Sequence, residues 1–346
     1  MKRPTWLRIS GVALGLLIVD VVGAIVLGAV APSFTSTYNL FVTGRDLSIL
    51  LLVALAQMIV LAVGQMNLSI GAIGGLVAIV ESGLMVTYGV PVGIALAVGL
   101  ALGAVCGVIN GLLVHWTKVN SFILTLGTAY VFAGINLGIT HATPFYHIPG
   151  VIAAFGQART GPFPHVALVS IGLAVLLAFF LKQTVLGRQL LAVGGNPVAA
   201  QLSGLPIRRV IATAHGISGF LGAVAGTLLM AQLGEGQPTI GATWILPSFA
   251  GPIIGGALLS GGSAPLLGTV FAMALVSLIS DGLILVNANP YWVQFLVGAL
   301  ILGGVLLGRV RAVGLREVFS LKPTAPPVTD RPAEEPVPRQ TAEQKR

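Results

Sequence analysis

Apolar residues run along this chain in blocks of about twenty, parted by short polar stretches rich in Gly, Pro, Asn and Arg. Blocks fall at about 10–31, 48–64, 69–88, 91–114, 119–139 and 164–181, and again at about 211–231, 246–260, 265–287 and 291–308. An α-helix rises about 1.5 Å per residue, so about twenty apolar residues cross the roughly 30 Å of hydrocarbon in a bilayer. The pattern predicts an all-α integral membrane protein of about ten transmembrane helices, some short or broken. The first block resembles a secretory signal only in its basic flank. Its apolar part exceeds the usual core of about 7–15 residues, and Pro32 stands where cleavage would fall. It reads as an uncleaved first span.

Between the first six blocks and the last four lies a polar island from Lys182 to Arg209, KQTVLGRQLLAVGGNPVAAQLSGLPIRR. Asn is a preferred N-cap, Pro suits the first helical position, and Gly suits the left-handed residue just past a helix end. Asn196-Pro197 and Gly204 therefore bound a short segment, Val198–Ser203, that reads either as a capped helix or as an ordinary connection.

Other polar residues interrupt the apolar blocks. GQMNLSIGAIGG, residues 64–75, sets Gln65, Asn67 and Ser69 among glycines, so a helix breaks there. Irregular polar backbone at membrane depth is tolerated when it is buried in protein or lines a watery cavity. This makes the three side chains candidate pathway residues, the other reading being a cytoplasmic turn. Thr125 and Asn136 in the block 119–139, with Glu235 and Gln237, are further candidate pathway residues. Glu235 and Gln237 lie in LGEGQPTIGATW, expected as an external loop. The Gly-rich run 251–268 reads as two short or broken helices meeting at a turn. An acid inside a span is costly and often functional. Glu81 is either such a residue or one that reaches water at its helix end, and Asp20 and Asp281 are further candidates.

Charge sets the orientation. Cytoplasmic loops carry the excess of Lys and Arg. With both termini inside, only Arg45 and Arg159 of the 18 basic residues fall outside, Arg45 being expected with Asp46 in a short external loop before the second block. The island is then a cytoplasmic loop. Residues 1–321 form the transmembrane domain, and the Pro-rich charged segment 322–346 a disordered cytoplasmic tail.

Composition excludes several classes. The chain has 346 residues, 55% of them apolar and 8% charged, against about a quarter charged in soluble domains. The net charge of +8 lies in loops and tail without interleaved aromatics, so it is no nucleic-acid surface. The lone Cys106 permits no disulfide within the chain. His141 and His147 have neither helical spacing nor a neighbouring carboxylate, so no metal site is expected. No GxxxxGK[ST] phosphate loop occurs, so the chain has no ATPase motif of that kind and is not expected to be an enzyme.

The segment LGRQLLAVGGNPVAAQLSGLPIRRV resembles the cytoplasmic loop of the ribose/xylose-type sugar ABC importer permeases. NSFILTLGT, GQMNLSIGA, LGEGQPTIGA and NPYWVQFLVGALIL resemble the same family, in the expected order, so that the likeness covers roughly residues 40–310. It implies a permease domain that moves a monosaccharide or related polyol across a bacterial inner membrane. It also implies two cytoplasmic ATP-binding subunits, which hold the ATP and Mg, and a periplasmic or lipid-anchored substrate-binding protein. The permease would pair with a second copy of itself or with a paralogous chain. In this family the loop helix docks into the ATPase, which here points to Gly194, Gly195, Asn196, Pro197, Ala199, Ala200, Leu202, Ser203 and Gly204. Three departures bear on the solute rather than the class. Gln65 and Asn67 replace the usual Gly and Asp, IGGALLSGGSAPL lacks the usual Thr and Arg, and Asp281 stands among normally uncharged residues. The rival expectations are a branched-chain amino-acid or nucleoside permease of like architecture, and an ion-coupled secondary transporter using the intramembrane acids.

Overall fold

A computed structural model describes residues 10–289 and, in part, 291–304. The basic residues Lys2, Arg3 and Arg8, the close of the last apolar block and the expected tail 322–346 lie outside the described residues.

The described chain is a helical bundle. Its long helices are α1 (Gly11–Val30), α2 (Thr37–Ala62), α4 (Val92–Thr117), α5 (Ser121–Thr140), α7 (Val166–Gln183), α10 (Ile207–Leu233) and α12 (Leu266–Leu285). These 7 are long and apolar enough to cross a membrane. Two shorter apolar helices, α3 (Ile70–Val86) and α11 (Ile245–Ile254), adjoin irregular segments. Three small helices lie in connections: α6 (Gly150–Gln157), α8 (Val185–Gly195) and α9 (Pro197–Leu202). A two-residue hairpin pairs β1 (Arg159–Thr160) with β2 (Phe163–Pro164).

Several helix starts are set by a polar side chain that accepts an otherwise unpaired N–H. Ser10, Ser36, Asn120, Thr184 and Asn196 do this for α1, α2, α5, α8 and α9. The Ser36 cap corrects one expectation. Arg45 and Asp46 lie inside α2, not in an external loop, because the helix starts at Thr37 and meets no breaker before them.

Helices α2 and α10 are the core, and α1 is the periphery. Its outward residues, among them Ile18, Val22, Ile25 and Val30, are exposed, as expected of a lipid-facing helix. Helices α4 and α10 cross backbone to backbone. A Cβ on Gly107 would strike the carbonyl oxygen of His215, and one on Gly111 would sit 2.8 Å from the Ala212 Cα. Further along α10, Gly226 meets Gly74 of α3 in the same way. Lipid offers no hydrophobic drive for helix association, so such close approach supplies it through dispersion and packing. Gly107→Val is expected to destabilise the bundle by about 1–3 kcal/mol or more. Thermal unfolding in detergent measures it, and an unchanged midpoint would show that the helices part without cost.

Candidate functional site

The chain breaks its helical pattern in two places, and both breaks face α3. The first is Gly64–Ser69. Helix α2 ends at Ala62, Gly64 takes a positive φ of 74°, and α3 begins at Ile70. Its stranded backbone groups are met by side chains from α5. Ser121 Oγ accepts from Met66 N at 3.0 Å, and Thr125 Oγ1 from Leu68 N at 3.0 Å. Asn67 folds back so that its Oδ1 accepts from both the Ser69 N and the Ser69 hydroxyl, at 3.0 and 2.7 Å. Its Nδ2 donates to Ser218 Oγ of α10 at 3.0 Å, and Asn110 Nδ2 of α4 donates to Ser69 Oγ at 2.7 Å. Asn67, Ser69, Asn110 and Ser218 are all buried. The break is thus a buried polar knot tying α3, α4 and α10, in which only Asn110 Oδ1 lacks a described partner, and such bonding is how irregular backbone survives in apolar surroundings.

Gln65 stands beside this knot at a wet edge. Its Oε1 lies 3.2 Å from Nε2 of the fully buried His215. It lines a cavity of about 510 Å³ together with Met66, His115, Lys118, Asn120 and Ser121.

The second break is Gly234–Trp244, and it corrects the expected external loop. The segment descends along α3. A Cβ on Gly236 would meet the Ser82 side chain, one on Gly75 the Ile240 carbonyl, and one on Gly71 the Gly241 carbonyl. Trp244 ends beside Gly74 with only 4% of its surface exposed. Small residues on both sides admit this run of turns where a side chain would bar it. Asn136 of α5 secures it, with Nδ2 donating to the Pro238 carbonyl at 3.0 Å. Asn136 also lines a second cavity of about 260 Å³ with Tyr130, Pro238 and Gly241. Glu235 and Gln237, half-buried at the upper end of this segment, are hydrogen-bonded to each other.

A third contact joins the first break to the end of α8, which leads into α9. Gly262 N donates to the Ala62 carbonyl at 3.0 Å. A Cβ on Gly194 would meet that same carbonyl, and one on Gly261 would fall 2.6 Å from Gly64 N. The ends of α2 and α8 and the turn between α11 and α12 therefore touch through main chain alone. Beyond the joint, Asn196 Oδ1 accepts from Ala199 N at 3.0 Å and Gly204 has φ of 75°, so α9 is capped at both ends. Ala200 is buried at 5% exposure, whereas Val198 and Leu202 are exposed at 68% and 85%. A helix pinned on one side offers a bare apolar pair on the other.

Comparison with known proteins fits this geometry. Residues 39–305 match the family described as "Branched-chain amino acid transport system / permease component". The chain belongs to this permease family. It is 34% identical over 305 residues to the ribose import permease protein of Bacillus subtilis (strain 168), covering 87% of this chain and 93% of that protein. It is 30% identical over 286 residues to the D-allose transport system permease protein of Escherichia coli (strain K12), covering 82% and 88%. The autoinducer 2 import system permease protein of the same strain is 33% identical over 300 residues, covering 85% and 89%. No solved structure matches.

The permease's sequence-predicted residues fall into two groups. Gln65 and Asn136 border cavities, whereas Asn67, Ser69 and Thr125 brace backbone from within. Glu81 does not reach water. It is fully buried, with Thr227 Oγ1 2.8 and 3.0 Å from its two carboxyl oxygens. Asp281 accepts from Asn39 Nδ2 at 2.7 Å and so ties α12 to the start of α2. Asp20 lies on the half-buried side of α1. Sequence reasoning missed His215, Ser218 and Asn110. The first two sit three apart on one helix, the spacing of a shared face, which was the available signal.

Proposed function

We propose that this permease is the membrane subunit of an ATP-driven importer for a monosaccharide or a related small polyol, working in the inner membrane of a bacterium. The observation that carries the reading is the 34% identity running across 93% of a ribose import permease. The geometry adds a route for coupling. The α8–α9 end faces the cytoplasm, and an ATP-binding subunit seats the apolar pair Val198 and Leu202. Residues Gly194, Gly195, Asn196, Pro197, Ala199, Ala200, Ser203 and Gly204 shape and hold that docking helix. Closing of the ATPase pair pushes α9, and the glycine joint passes the push to the break at Gly64–Ser69. Gln65, Asn136, Glu235 and Gln237 face the solute route, and Asn67, Ser69 and Thr125 hold its walls. A substrate-binding protein outside delivers the solute, and a second permease copy or a paralogue completes the pore. ATP and Mg bind the partner and not this chain.

A mild-detergent pull-down of the tagged chain from its native membranes tests this, with partners identified by mass spectrometry. Recovery with an ATP-binding subunit and an exported sugar-binding protein is the expected result. Recovery alone, with uptake abolished by a protonophore, would replace the reading with ion coupling.

Gly204 offers a sharper check on α9. Its added Cβ would meet nothing within 4 Å, so a substitution acts on backbone alone. At positive φ a β-branched residue costs roughly 1–2 kcal/mol. Gly204→Val should therefore loosen the helix end and lower uptake several-fold at unchanged membrane levels. Normal uptake would remove the capped helix from the mechanism.

A further inference from the structure

We infer that Gln65, oriented by His215, is a contact site for the solute at the α8–α9 end of the pathway, and that it takes an oxygen acceptor of a neutral polyhydroxylated solute. The inference rests on the importer reading above and adds the group that touches the cargo.

The argument begins with His215. Its ring is fully buried, and Nδ1 has no partner. A buried N–H without an acceptor costs the full desolvation of that group, so the ring hydrogen sits on Nε2. From there it donates to Gln65 Oε1 at 3.2 Å. An amide has two donors and one carbonyl oxygen. With Oε1 held from behind, the Gln65 Nε2 carries its two hydrogens forward, and it makes no bond to any described residue.

In the cavity in front, Ser121 Oγ accepts from Met66 N and Asn120 Oδ1 from Phe122 N at 2.9 Å, which leaves the Ser121 hydroxyl hydrogen and Asn120 Nδ2 as further neutral donors. Val114, Val119, Ile211 and Leu259 supply apolar wall. The charged or titratable groups facing it are Lys118 and His115, both from the end of α4. Gln65 is the neutral donor there whose carbonyl oxygen is held by a fully buried side chain. Hydroxyl and ring oxygens of a sugar accept from such a donor, while its C–H faces pass along the apolar wall. One hydrogen bond suits an exit, where tighter holding would slow release.

The test uses the whole importer in liposomes, with radiolabelled D-ribose as probe. Gln65→Ala is expected to lower initial uptake about tenfold, the size of one lost hydrogen bond. His215→Phe should lower it about fivefold, and His215→Gln, which keeps a donor, should restore most of the rate. The decisive comparison is the double variant. If His215 acts through Gln65, His215→Phe adds less than about a twofold loss in the Gln65→Ala background. Losses that multiply, or uptake by Gln65→Ala within twofold of the unaltered chain, would overturn the site. A second arm needs no sugar. In a Cys106→Ser background, Gln65→Cys should react with an impermeant maleimide added from the cytoplasmic side. Inertness to the reagent would overturn the site whatever the cargo. If the unaltered importer moved no ribose, the cargo would be another member of the proposed class, and the labelling arm alone would decide the site.

Discussion

Changing Val198 and Leu202 together to Asp is expected to abolish ATP-driven uptake while the protein still inserts and folds. Both side chains stand free on α9, at 68% and 85% exposure, so neither supports the bundle. Ala200, which does, is untouched. Buried apolar anchors at the centre of an interface each contribute about 2 kcal/mol or more. Losing two weakens docking on the order of a thousandfold, and placing carboxylates against an apolar seat adds a desolvation cost. Membrane abundance should stay normal, while the ATP-binding subunit no longer co-purifies. Leu202→Met, which keeps volume and polarity, should retain both. Undiminished co-purification of the Asp pair would show that the ATPase docks elsewhere.

Asn67→Leu is expected to have the largest effect on the fold itself. The change removes the acceptor used twice by Ser69 and the donor used by Ser218. Ser69 keeps its bond from Asn110, but its N–H and hydroxyl hydrogen are left buried without an acceptor. Each such loss costs about 1–3 kcal/mol, which predicts a destabilisation of about 3–5 kcal/mol in all. Unfolding in detergent would register it, with the added prediction that Ser218→Ala costs little more once Asn67 is gone, because the two share one bond. Full additivity would mean that the knot is a set of independent contacts.

Much of this was legible in the residues. Length and apolarity gave the helices, Asn196-Pro197 and Gly204 gave the ends of α9, and the glycines around Asn67 gave the break after α2. The errors have a common cause. The descent of Gly234–Trp244 along α3 is invisible in hydropathy, because a polar segment reads alike whether water or other backbone satisfies it. Only the matching of Gly236 to Ser82 and of Gly241 to Gly71 reveals it, and such pairing joins residues far apart in the chain. Arg45 and Asp46 read as loop because charge was taken to end the span, whereas helix ends follow capping rather than polarity. The division of the polar residues into those that line and those that brace was likewise out of reach. Asn67 and Gln65 lie two apart and differ in burial because α10 presents Ser218 to one and His215 to the other.

The joint formed by Gly64, Gly194, Gly261 and Gly262 is built without side chains. Its shape is therefore fixed by main-chain hydrogen bonds and by close approaches that only glycine admits, and it has no chemical vocabulary with which to respond to cargo. In the proposed mechanism, recognition falls instead to amides and hydroxyls elsewhere. The two tasks can be altered separately: side chains bordering the cavities can be exchanged to suit a different solute while the moving part keeps its fit. A redesign of the permease for a new sugar would start from Gln65 and Asn136 and leave every glycine of the joint in place.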